Sequence, residues 1–299
     1  LISAFSVLPT DTSMNSSLTA TAYWLKEEFT FLKKCSPLLL SRGPLDQTFE
    51  RRNFMSHTCI RYMDDNTGRD VYIVKTKASN IELVNLTSSS YPKGKTIKNS
   101  GYYGMNASWY EEIKEGSDIY SCILNIAYQD GKPLGALSQY KYGQKNRVGD
   151  CLIYYKNGSV YYAEGVKDSS DSRVPKTSGS WAQGGMGLFL GNSNWLSLFR
   201  NQPMTTEDYS KGTAPRSGMV VNTNTKDVYL FAVPVASTDL ISFRQIIMDY
   251  FGLKDGASNS YIRAILLDGG ASTELYGTDF YAHTTIQHKI PQMISVGQA

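Results

Sequence analysis

Past Phe49 the apolar residues of this chain come in short runs separated by turn-forming residues, a texture that commits most of its length to a sheet. Val71-Tyr72-Ile73-Val74, Ile81-Glu82-Leu83-Val84 and Cys122-Ile123-Leu124-Asn125-Ile126 read as strands. Ile153-Tyr154-Tyr155, Lys156-Asn157-Gly158 and Ser159-Val160-Tyr161-Tyr162 predict a hairpin, with Asn-Gly supplying the positive φ angles of a type I′ turn. Met219-Val220-Val221 and the run from Val228 to Val233, joined by a polar turn, predict a second hairpin. One clear helix follows. Ser237, Thr238 or Asp239 can cap it, Leu240, Phe243, Ile246, Ile247, Tyr250 and Phe251 recur at helical spacing, and Gly252 closes it. Ile262 to Leu267 is then a compact buried strand. The expected class is α+β, a sheet-dominated single domain with few helices.

The beginning of the chain differs. From Ser17 to Leu40 the placing of Leu18, Tyr23, Trp24, Leu25, Phe29, Phe31 and Leu32 predicts an amphipathic helix that stops before Ser41-Arg42-Gly43-Pro44. Residues 1–48 therefore read as a short helical N-terminal extension, and 49–299 as the main domain.

Composition narrows the function. At 41% hydrophobic and 19% charged the chain can bury a core, which excludes wholesale disorder. A net charge of +3 without any basic stripe argues against nucleic acid as a partner. The longest apolar stretches, Val228 to Ala236 and Ala264 to Leu267, are too short for a membrane span. The abundance of Tyr, with 21 residues, beside plentiful Ser, Thr, Asn and Gly suits an extracytoplasmic protein (secreted, periplasmic or cell-surface) that handles sugars. Cys35, Cys59, Cys122 and Cys151 lack CxxC spacing, which argues against zinc, and their pairing is open. His57, His283 and His288 form no two-His metal signature, and Asp64-Asp65-Asn66 lacks the spacing of a calcium loop. No metal site is expected. Asn15, Asn85, Asn106 and Asn157 each head an N-x-S/T triplet.

Four stretches could carry chemistry. In Ala264 to Tyr276 an apolar strand delivers Asp268 to its end, Gly269 and Gly270 let the backbone turn, and Ser272 and Thr273 follow with Glu274 beyond. Asn99-Ser100-Gly101-Tyr102-Tyr103 is a polar turn running into aromatics. Gln183-Gly184-Gly185 is read as a Gly-rich loop; it is not G-x-G-x-x-G and has no following helix of the dinucleotide type. Pro215-Arg216-Ser217-Gly218 enters a strand with an Arg that could clamp an anion.

The order of these stretches, ending in Leu267-Asp268-Gly269-Gly270-Ala271-Ser272-Thr273, resembles the phosphodiester glycosidase domain family. That family shows Asn-Gly-Gly-Phe-Phe, Gly-Gly-Pro, Arg-Thr-Ala-Ile-Gly and Leu-Asp-Gly-Gly-Gly-Ser-Ser. The resemblance runs over roughly residues 50 to 299 and includes Lys289-Ile290-Pro291. Ser100, Met186 and Ala271 depart from the pattern, and Tyr102 and Tyr103 replace the Phe pair. The resemblance implies one pocket in which Asn99, Gly101, Tyr103, Gln183, Gly184, Gly269, Gly270, Ser272 and Thr273 bind substrate. It gives Arg216 a leaving phosphate, and Asp268, with Glu274 as partner, the anomeric carbon or attacking water. The implied function is a hydrolase cleaving a glycosidic bond in a sugar phosphodiester or a related surface glycan such as exopolysaccharide. Its partner would be a carbohydrate or sugar-phosphate substrate. No cofactor is required, a divalent cation stays open, and the oligomeric state is not fixed. The departures leave an alternative: a non-catalytic carbohydrate- or nucleotide-sugar-binding protein on the same scaffold.

Overall fold

The computed structural model describes residues 57–134, 149–167, 170–202, 212–257 and 259–299. The expected helix from Ser17 to Leu40, the boundary at 48/49, Cys35 and the Asn15 triplet lie outside the described residues.

Strands dominate, with two α-helices among the described residues. In chain order they are β1 (His57–Asp64), β2 (Arg69–Lys77), β3 (Glu82–Asn85), β4 (Tyr102–Asn106), β5 (Tyr110–Glu115) and β6 (Asp118–Ile123). β7 (Ala127–Gln129), β8 (Lys132–Pro133), β9 (Gly149–Tyr154), β10 (Val160–Val166), β11 (Trp181–Gly187) and helix α1 (Trp195–Arg200) follow. The remainder are β12 (Arg216–Asn222), β13 (Asp227–Val233), helix α2 (Leu240–Tyr250), β14 (Ile262–Leu266), β15 (Glu274–Tyr276), β16 (Tyr281–His283) and β17 (Gln292–Gln298).

A ten-stranded sheet runs β1-β2-β13-β12-β14-β11-β7-β8, with β9 also on β11 and β10 on β9. A five-stranded sheet runs β16-β15-β4-β17-β3, and β5-β6 is a separate ribbon. The centre of the large sheet is covered on both faces. Met219, Val221, Leu230, Ile265 and Leu267 pack towards the small sheet's Leu83, Met105, Leu275 and Ile294. The alternate residues Val220, Phe231, Ala264 and Leu266 pack under Phe243, Ile246 and Ile247 of α2 and Phe199 of α1. Strand residues point alternately to the two faces, so a strand covered on both must be apolar at nearly every position. That is why Ala264 to Leu267 is an unbroken apolar run.

Three local readings need correction. The hairpin at Asn157-Gly158 forms, but only Gly158 has positive φ (+88°), so the turn is not type I′. Gly158 N–H instead closes on Tyr155 O at 2.8 Å, and the Asn157 side chain accepts from Ser159 N–H at 3.0 Å. This is a type I turn followed by a left-handed glycine. The run at 122–126 is not one strand: it leaves β6 after Ile123 and ends just before β7, with Leu124 N–H on Trp109 O and Ile126 O accepting from Gly184 N–H, so the chain crosses from ribbon to sheet. Finally, Gln183-Gly184-Gly185 is no loop. It lies inside β11, buried throughout. Glycine belongs there because a Cβ on Gly185 would fall 2.5 Å from Leu266 O on the adjacent strand.

Among the described residues, no disulfide joins Cys59, Cys122 and Cys151, and no helix is long and apolar enough to cross a membrane. The expected helix forms at α2, capped by Asp239, whose carboxylate accepts from Ser242 N–H at 2.6 Å. Asp239→Ala should lower the unfolding free energy by about 1 kcal/mol in urea denaturation, whereas Ser237→Ala should leave it nearly unchanged.

Candidate functional site

β14 runs out beside β12, and the pairing continues past its end. Leu267 N–H donates to Ser217 O and Gly270 N–H to Pro215 O, both at 2.9 Å, so the backbones of Arg216 and Asp268 lie opposite each other. Here the chain must run close: a Cβ on Gly269 would stand 2.8 Å from Pro215 O. A short 3-10 turn, Gly270–Ser272, then swings the chain into β15, with Gly270 at φ +60°.

The small sheet fixes this turn through Asn106 at the end of β4. Its amide donates to Asp268 O at 2.7 Å, and its carbonyl oxygen accepts from Ser217 Oγ at 2.8 Å and Glu274 N–H at 3.1 Å. The next residue, Ala107, takes Asp268 N–H on its carbonyl at 3.1 Å. Both backbone polar groups of Asp268 are thereby held by the β4 end, and its side chain is aimed.

It is aimed into a cavity of about 860 Å³ walled by Lys93, Tyr110, Glu112, Gly269, Ala271, Ser272, Gln287, His288 and Lys289. The Asp268 carboxyl is deeply set yet open to this space. Burial pushes its pKa up to about 7, against the opposing hydrogen bonds of Ser272 and of Gly269 N–H at 3.0 Å. Tyr110 donates to Lys289 O at 3.2 Å and hydrogen-bonds Ser272. Burial raises its phenol above the ordinary value, with Ser272 acting in the other direction. At the rim Lys93 and Glu112 form an ion pair at 3.0 Å. The cavity thus offers one carboxyl poised between its charge states, a second carboxylate, a phenol, an imidazole and two lysine ammoniums. Among the described residues no three His, Cys, Asp or Glu side chains are grouped to hold a metal ion.

The structure brings together Asp268, Gly269 and Ser272 and distributes the other expected residues around them. Thr273 is fully buried, and its hydroxyl has no hydrogen-bond partner among the described residues. Glu274 is buried behind the turn: its carboxylate accepts Ile97 N–H at 2.8 Å, Lys98 N–H at 3.0 Å and the Tyr281 hydroxyl. It anchors the turn that carries Asn99 and Gly101, both exposed. Tyr103 packs its ring on Tyr276 and His57. Gln183 joins a buried amide chain, donating to Ser108 Oγ at 2.9 Å and accepting from Gln292 at 2.7 Å, and Gly184 donates to Ile126 O. The Arg216 guanidinium points to Thr238 O (3.3 Å) and Gly212 O (3.2 Å) and does not line the Asp268 cavity. Burial lowers its pKa, with Asp239 opposing.

Asn106, Tyr110 and Glu112 were not anticipated. A signal existed: Asn106-Ala107-Ser108-Trp109-Tyr110 has the same order of Asn, two small residues and two aromatics as Asn99 to Tyr103. The Asn106 triplet also read as a glycosylation signal, but this side chain is completely buried.

Among solved structures, the chain is similar to the catalytic domain of zebrafish N-acetylglucosamine-1-phosphodiester alpha-N-acetylglucosaminidase, auto-inhibited by its pro-peptide. The TM-score is 0.51 at 12% identity, covering 81% of this chain and 82% of that one. A hypothetical protein from Synechocystis gives a TM-score of 0.44 at 12% identity, over 80% of this chain and 61% of that one. No protein-family model and no curated protein matches the sequence. The likeness to the zebrafish domain is one of fold.

Two measurements test this geometry. Asn106→Ala strands the buried Ser217 hydroxyl and Glu274 N–H and should cost about 3 kcal/mol or more by chemical denaturation. Asp268 binds its proton more tightly when folded than when unfolded, so its contribution to stability is full below pH 4 and is lost as pH rises to about 7. Asp268→Asn should therefore gain stability relative to wild type between pH 4 and pH 8 in thermal melts.

Proposed function

We propose that this protein is a hydrolase cleaving a glycosidic bond in a sugar phosphodiester or related glycan, with Asp268 as its working carboxyl. The observation that carries the reading is that carboxyl itself. It stands at the end of a buried strand, faces an 860 Å³ cavity, and titrates near 7, where an acid–base catalyst works best. The fold likeness to a phosphodiester glycosidase domain supports it.

In this reading protonated Asp268 donates to the leaving oxygen as the glycosidic C–O bond breaks. Glu112, on the same cavity wall, supplies the second carboxylate and draws a proton from the attacking water. Lys93 and Lys289 favour an anionic leaving group. Arg216 and Glu274 shape the site from behind, since their polar groups are engaged by Thr238, Gly212, Ile97 and Lys98. The site would work on an extracytoplasmic glycan.

Those same engagements favour a second reading, a non-catalytic carbohydrate-binding protein, because two of the three expected catalytic side chains are committed to the fold. A panel of sugar-1-phosphodiesters, nitrophenyl glycosides and bacterial surface polysaccharides separates the two. The hydrolase turns over at least one of them, with activity falling as pH rises through about 7. Asp268→Asn removes that limb and about 10²–10⁴ of the rate. A folded protein that binds one of these ligands without consuming it, and whose Asp268→Asn variant binds equally well, establishes the second.

A further inference from the structure

Five residues before Asp268, roughly 17 Å of extended chain, Arg263 stands between two adjoining cavities that share Tyr162, Glu164 and Arg263 in their walls. One, of about 710 Å³, adds Tyr155, Asn157 and Tyr161; the other, of about 560 Å³, adds Asn192 and Asn259. None of these residues takes part in the chemistry proposed for Asp268.

The walls are held from behind. The Tyr162 hydroxyl donates to buried Asp150, which also accepts Gly165 N–H at 3.0 Å. The Arg263 guanidinium lies 5.9 Å from the Tyr162 ring centroid and donates to Asn259 O at 2.9 Å. Asn259 is itself fixed by bonds to Leu190 O, Ile262 O and Ile262 N–H. Arg173 has its partner in Asp171, but among the described residues no carboxylate pairs with Arg263. A guanidinium has five N–H donors, so most of its hydrogen-bonding capacity is left for a ligand. Tyr161, 52% exposed, meets Tyr155 edge-on at 5.6 Å, and the Tyr155 hydroxyl is tied to Arg173 O at 2.8 Å.

Two aromatic rings and a guanidinium in the wall of one cavity suit a ligand with an apolar ring face and a carboxylate. The rings take the C–H face of a sugar, and the planar fork takes a carboxylate through two parallel hydrogen bonds. Asn157 and Glu164 can meet sugar hydroxyls, and the two adjoining cavities call for a chain rather than one sugar. We propose that this double cavity binds an acidic, uronate-bearing glycan, with Arg263 on a carboxylate and Tyr161 and Tyr155 under a sugar ring. The site is independent of the function assigned to Asp268.

Calorimetric titration of the full chain with hexagalacturonate, maltohexaose and inorganic phosphate tests it. Hexagalacturonate should bind saturably, and Arg263→Gln and Tyr161→Ala should each weaken it by about tenfold or more. Asp268→Asn should not change it, and maltohexaose and phosphate should bind at least tenfold more weakly than hexagalacturonate. Absence of saturable hexagalacturonate binding, equal binding of either comparison ligand, or wild-type affinity in both cavity variants overturns the proposal. So does loss of binding in Asp268→Asn, which would assign the ligand to the other cavity. If Arg263→Gln does not fold, Tyr161→Ala decides alone, because so exposed a ring contributes little to the core.

Discussion

The three hydrogen bonds of the Asn106 amide join the two sheets at the point where the proposed chemistry lies. They reach Asp268 O after β14, Ser217 on β12 and Glu274 N–H on β15. A side-chain amide suits such a junction because it carries donors and an acceptor on one rigid plane. With Ala107 O on Asp268 N–H, it leaves the Asp268 backbone one orientation, and the carboxyl follows. Neighbouring amides extend the arrangement: Ser108 N–H donates to Gln292, Gln292 to Gln183, and Gln183 back to Ser108. Polar chains this deeply buried hold only while each member is satisfied.

The electrostatics of the cavity follow from the same construction. A strand covered on both faces carries apolar residues up to its last position, so the residue that ends it inherits a poorly solvated setting. Asp268 consequently holds its proton far above the usual carboxylate range, with only Ser272 and one N–H drawing it back. Glu274, six residues on, is also buried, but two backbone N–H groups and a phenol bond its carboxylate. One acid is left with capacity for a ligand; the other fastens a turn. Exposure to the cavity and the supply of hydrogen-bond donors together distinguish them.

Much of the scaffold was legible from local pattern. The apolar run Ala264 to Leu267, the two hairpins and the capped helix α2 follow from short-range rules, since residue pattern, turn chemistry and capping act within a few residues. The place of Asp268 at a strand end was legible too, because an apolar run followed by Asp-Gly-Gly marks where a strand stops and the chain turns. The turn at Asn157-Gly158 was misread because Asn-Gly serves more than one hairpin geometry, and loop length decides between them. The Gly-rich β11 was misread because its glycines answer to a neighbouring strand remote in sequence.

What the sequence by itself determined is the strand-rich class, its turns and the strand end that presents Asp268. Only the tertiary structure decided which residues share the cavity with it. Arg216 lies opposite Asp268 in register, yet its guanidinium is taken by Thr238 and Gly212 carbonyls. Tyr110 and Glu112, more than 150 residues earlier in the chain, reach the cavity instead. The physical reason is that a side chain's partners are set by which strands pair and which faces pack. Those are long-range contacts, and no local spacing encodes them.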